Sequence, residues 1–192
     1  MKEDVQIFHP ESPEGWRKWL EQHHLTEQSV WLVCHTKKSG KKTISWSESV
    51  DVALCFGWID SKKIKIDEET SYQFFSRRKP KSTWSRINKE KVAKLIGEGL
   101  MTKAGLEAVE IAKENGSWTV LDPVEELVIP EDLEEAFRSR QGSKQYFMSL
   151  SKSARKILLQ WLVLAKKPET RKKRVDELAE EASQGRKPKP FQ

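Results

Sequence analysis

Residues 77–91 (RRKPKSTWSRINKEK) hold seven basic residues and one acid, a local charge of +6 that equals the net charge of the whole 192-residue chain. Anion binding is the chemistry such a run suggests. Trp84 lies inside it, and Ser85 reads as the start of a helix, where backbone N–H groups carry partial positive charge. Upstream, Trp58 and Asp60 are two residues apart in a run that reads as a strand, so their side chains share one face. A loop over residues 77–85 folded across that face would bring together an aromatic wall, a carboxylate, guanidinium groups and the N–H groups of a helix start. A phosphate or carboxylate ligand with a flat apolar part suits that combination. The candidate ligand-binding residues are therefore Trp58, Asp60, Arg78, Lys79, Ser82, Trp84, Ser85 and Asn88. Arg78 and Lys79 would hold the anion, Ser82, Ser85 and Asn88 would donate hydrogen bonds or order the helix start, the tryptophans would wall the site, and Asp60 would orient a base or ligand donor. The same residues admit a purely structural arrangement, with Asp60 paired to Arg78, the serines capping a helix and both tryptophans in the core.

Other chemistries have weaker support. A basic stripe with nearby aromatic rings can track the phosphates of a nucleic acid, and residues 77–91 make nucleic acid an alternative partner. In the last third, Arg171 and Arg174 belong to a basic run on a helix that could dock on an acidic protein partner. Cys34 and Cys55 lie among apolar neighbours without a second Cys or His at zinc-ligand spacing, so buried, reduced thiols are expected. His9, His23 and His24 assemble neither a metal-hydrolase motif nor a triad. Asp60 is the one acid-base candidate beside the basic loop, and a non-catalytic role with no metal or cofactor is the expectation.

These residues need elements to position them. Ser12-Pro13 opens a helix whose apolar stripe is Trp16, Trp19, Leu20 and His23. Residues 29–36, 58–66 and 72–76 read as strands, and Ser45-Trp46-Ser47-Glu48 is a capping box for a helix that Gly57 stops. Further helices begin at Ser85 or Asn88 and at Thr102; beyond Pro130 come helical stretches over residues 131–138, 144–150, 151–166 and 168–183, then a tail at 186–192 expected to fray. The fold class is α+β: a small antiparallel sheet packed among helices over residues 1–123, then a helical C-terminal subdomain over 124–192. Charge is segregated, with a net of −9 over residues 107–135 and +10 over 138–192. That segregation fits either an internal clasp or a footprint for an acidic partner. No run approaches the roughly 20 apolar residues of a bilayer span, and the first residues lack the apolar centre of a secretory signal, which makes the cytoplasm the expected location.

The runs ALCFGWID at residues 53–60, RKPKSTWSRIN at 78–88, GLMTKAGL at 99–106 and AKKPETRKKR at 165–174 resemble the YdeI/OmpD-associated family, also called bacteriocin-protection proteins. The resemblance implies a stress- or bacteriocin-protection role linked to a porin, and it brings no catalytic residues with it. The family's motif often has a proline where this chain has Arg77 and an arginine near Phe74, so the rim of a pocket here would differ.

Overall fold

The computed structural model describes residues 5–191. The chain divides after Trp118 into two compact units. The first contains β1 (Ile7–Phe8), α1 (Pro13–His23), β2 (Ser29–His35), α2 (Trp46–Cys55), β3 (Trp58–Lys65), β4 (Thr70–Arg77), α3 (Arg86–Gly97) and α4 (Lys103–Glu114). Its sheet has the order β1-β2-β4-β3, with β2, β4 and β3 antiparallel and β1 parallel to β2. The α+β class stands, and the sheet is mixed because of β1. Two residues carry no periodicity, and β1 owes its strand conformation to pairing with Trp31 and Leu32.

Local chemistry explains the helix starts. Ser12 Oγ accepts from Gly15 N, Ser85 Oγ from Asn88 N and Thr102 Oγ1 from Gly105 N, while Ser45 and Glu48 form a reciprocal capping box. Each cap satisfies a donor that has no partner within its helix. Alternate residues of the strands then meet the helices: Val30, Leu32, Trp58 and Phe75 are buried against Trp16, Leu20 and Leu54. Trp16 keeps its polar atom satisfied by donating from Nε1 to Ser49 O at 3.1 Å. Side chains of this size contribute roughly 1.5–3 kcal/mol each on burial, so the core determines which sheet face turns inward.

Two glycines fix the approach of α4 to the end of α2. The Cys55 carbonyl accepts from both Thr102 N, at 3.0 Å, and Thr102 Oγ1, at 2.6 Å. A Cβ on Gly105 would fall 2.2 Å from that same carbonyl oxygen. Gly57 turns the chain from α2 into β3 at a φ of +71°, and a Cβ there would meet Ala104 O and Ala108 Cβ, both at 3.1 Å.

The second unit is helical: α5 (Asp122–Glu125), α6 (Glu131–Arg138), α7 (Ser143–Ser149), α8 (Lys152–Val163) and α9 (Pro168–Ser183). Leu133, Phe137, Phe147, Leu158, Leu159, Leu162 and Leu178 form its core. The acidic and basic stretches meet inside this unit. Glu125 pairs with Lys156 at 2.5 Å, Asp132 with Arg171 at 2.6 Å and Glu134 with Lys144 at 2.8 Å. These three acids are therefore part of an internal clasp. The tail, expected to fray, instead forms a short 3₁₀ turn over Lys189–Phe191 and sets the Phe191 ring edge-on against Trp161 at 5.5 Å.

Gly105→Ala should lower stability by about 2 kcal/mol or more, because the methyl group forces two backbones apart. Gly97→Ala, which meets open space at the end of α3, should raise it by about 0.5 kcal/mol. Thermal or urea unfolding of both variants checks the opposite signs.

Candidate functional site

A cleft of about 170 Å³ opens in the first unit where the exits of α1, α2 and β4 converge on α4. Its lining includes His24, Phe56, Gly57, Trp58, Arg77, Arg78, Lys79, Pro80, Trp84, Glu107 and Ile111. The backbone delivers the arginines here: Arg77 ends β4, opposite Trp58 in register, and Arg78 N donates to Gly57 O at 2.9 Å. Trp58 and Trp84 are 0% and 1% exposed, so they contribute packed walls rather than projecting rings. Trp58 Nε1 donates to His24 O at 3.4 Å.

The Arg78 side chain is held by stacking and by one hydrogen bond. Its Cζ lies 3.5 Å from the centre of the Trp84 ring, and its Nη1 donates to Thr83 O at 3.1 Å. Stacking on an indole suits the flat guanidinium, which is more weakly hydrated than an ammonium. Arg78 Nε and Arg77 Nε and Nη2 are buried with no hydrogen-bond partner among the described residues. Burial pushes Arg78 down to about 10, and the nearby Asp60 charge opposes the shift. Above about pH 10 the unfolded chain holds more protons on this residue than the folded one, so its burial penalty is fully present below pH 10 and fades as pH rises. The acid in the cleft, Glu107, sits 3.8 Å from Lys103 across one turn of α4, and no ion pair joins it to either arginine.

The expected site residues separate into groups. Trp58, Arg78, Lys79 and Trp84 line the cleft. Asp60 shares its sheet face with Trp58, but its Oδ2 accepts from Trp46 Nε1 at 2.8 Å and from Gln73 Nε2 at 3.4 Å, and it does not line the cleft. Ser82 lies in the turn after Pro80, its N–H donating to Lys79 O at 2.9 Å, and Ser85 with Asn88 forms the cap of α3. Arg77, His24 and the α4 wall line the cleft and are not among the eight expected residues. Arg77 was legible as a basic neighbour of Arg78. His24 and Glu107 reach the cleft only through tertiary packing, for which no local signal exists.

The basic segment is not a continuous stripe. Arg86 pairs with Glu90 at 2.9 Å, Lys89 lies over the Trp118 ring at 5.5 Å, and Lys91, whose side chain is 18% exposed, binds Asp51 and Ser47. In the second unit, Arg171 makes a two-pronged contact with Asp132 at 2.6 and 2.9 Å. Arg174 donates to Trp161 O and stacks over that ring at 5.1 Å. Both arginines brace helices, leaving Lys172 and Lys173 as the exposed bases of that run. Burial pushes the Cys34 and Cys55 thiols up, which keeps them in the unreactive neutral form at neutral pH. Among the described residues there is no His, Cys, Asp and Glu grouping able to hold a metal, and no helix is long and apolar enough to cross a membrane.

A family model described as a domain of unknown function (DUF8412) matches residues 8–108, more than half of the chain. The chain belongs to this family. A second model, described as Bacteriocin-protection, YdeI or OmpD-Associated, matches residues 126–185. The family resemblance therefore stands on the helical unit, where AKKPETRKKR lies. The other three runs that suggested it fall inside the region matched by the first model, which includes every residue lining the cleft except Ile111. No curated protein and no solved structure matches the chain.

Arg171→Ala should destabilise the protein by about 1–2 kcal/mol, since it leaves Asp132 without its partner. Lys172→Ala should change stability by less than about 0.5 kcal/mol. Chemical denaturation compares the two; equal effects would contradict a bracing role for Arg171.

Proposed function

We propose that the first unit is a non-catalytic binding module whose cleft takes a small oxyanion attached to a flat apolar group. The buried guanidinium nitrogens of Arg77 and Arg78 that lack acceptors carry this reading. Buried donors without partners cost roughly 1–3 kcal/mol each, and a phosphate, sulfate or carboxylate is the acceptor that matches a guanidinium fork. Lys79 at the rim adds an exposed positive charge. Pro80, Phe56 and Ile111 supply apolar surface for the rest of the ligand. Arg78, already stacked on Trp84, needs little further ordering to present its free edge, which lowers the entropic cost of binding.

Within that reading, Asp60 keeps Arg78 charged at a distance, and Ser82, Ser85 and Asn88 hold the loop from β4 to α3 in place. The description attached to the second unit's family suggests the setting: protection against bacteriocins. The free thiols of Cys34 and Cys55 suit a reducing compartment, and the cytoplasm is the location we infer.

Phenyl phosphate should raise the melting temperature of the full chain in a dose-dependent way and more than inorganic phosphate does at equal concentration. Arg78→Met should weaken that binding at least tenfold and Lys79→Ala about threefold, with Arg86→Met as a surface control that leaves it unchanged. Unaltered phenyl phosphate affinity in folded Arg78→Met, measured by calorimetry, would refute the assignment.

A further inference from the structure

The sheet has a second face, turned away from the core of the first unit. Strand alternation places Trp31 of β2 and Phe74 of β4 on it, directly opposite each other, with ring centres 4.8 Å apart. Tyr72, two residues along β4, lies 6.4 Å from Trp31. None of the three rings belongs to the hydrophobic core, and all are partly exposed. Lys62, from the irregular middle of β3, holds its ammonium 5.1 Å from the Trp31 ring and 5.2 Å from the Phe74 ring. Ile7 and Ile64, 54% and 41% exposed, flank the cluster through their pairing with Trp31 and Tyr72.

We propose that this face is a stacking platform for single-stranded nucleic acid, with bases on Trp31, Tyr72 and Phe74 and a backbone phosphate taken by Lys62. The Phe74 and Tyr72 rings are inclined to Trp31 by 71° and 47°, so they meet separate, splayed bases rather than one continuous stack, and every base has a face to offer. Charge selects the occupant. The strand positions that share this face carry no carboxylate among the described residues. A second copy of the chain meeting the platform through its own would bring Lys62 to a surface with no acid to receive it. A polyanion supplies a counter-charge for Lys62 as it leaves the rings, and the chain's +6 net charge favours its approach. The platform is independent of the arginine cleft, which the first unit forms on the other side of its sheet from these rings.

Fluorescence anisotropy of the full-length protein with a labelled 15-nucleotide oligo-dT at low salt tests the platform. The expected result is saturable binding that quenches tryptophan emission and weakens as salt is raised. Lys62→Glu, at an exposed position, and Phe74→Leu, which keeps an apolar side chain while removing the ring, should each weaken binding five- to fiftyfold, whereas Lys103→Glu, the same charge change on the exposed face of α4, should alter it less than twofold. Absence of binding in low salt would overturn the proposal. So would equal losses in Lys62→Glu and Lys103→Glu, which would indicate diffuse attraction. Tighter binding of a neutral oligosaccharide, or a concentration-dependent dimer abolished by Phe74→Leu, would assign the face to another occupant and equally refute it.

Discussion

The Cys55 carbonyl is the point on which the first unit turns. It accepts two hydrogen bonds from Thr102 while Gly105 passes so close that no side chain fits between them. That single approach seats α4 against the end of α2. With α4 in place, Gly57 must bend the chain immediately into β3, and its own carbonyl then receives the Arg78 N–H from the end of β4. Three chain segments distant in sequence are thereby drawn to one spot, and the cleft is the space between them. The geometry of the arginines is thus inherited from a backbone junction in which neither of their side chains takes part.

Electrostatics plays different parts in the two units. In the helical unit, opposite charges are matched: Arg171, Lys156 and Lys144 each answer an acid from the preceding acidic stretch. In the first unit, Arg77 and Arg78 are held without such a match, Arg78 by the face of Trp84 and a backbone carbonyl. An indole ring attracts a cation without neutralising it. Stacking therefore positions the guanidinium while preserving its charge, where a carboxylate partner would have silenced it.

Much of the fold could be read from the chain because its signals are local. Ser12-Pro13, the Ser45–Glu48 box, Ser85 and Thr102 mark helix starts by side-chain chemistry that acts within four residues, and strand alternation put Trp58 and Asp60 on one face. The site was legible only in part. Arg78, Lys79 and Trp84 stood out because charge and aromaticity coincide in one segment, yet the carboxylate of Asp60 is drawn away by the indole of Trp46, a residue whose reach across to β3 depends on how α2 packs. The two-residue β1 and the docking of Phe191 on Trp161 were invisible for a related reason. Each is too short to carry a pattern, and each exists because a distant partner completes it.

The unsatisfied guanidinium nitrogens also bear on the lifetime of the protein in a cell. A fold with buried donors left unpaired lies somewhat nearer to its unfolded ensemble than it would with an acceptor bound, and any species that binds only the native form draws the equilibrium away from the unfolded one. Proteases and chaperones act on the unfolded fraction. On the proposed reading of the cleft, the abundance of the polypeptide would track the supply of the anion, and turnover itself would report ligand concentration.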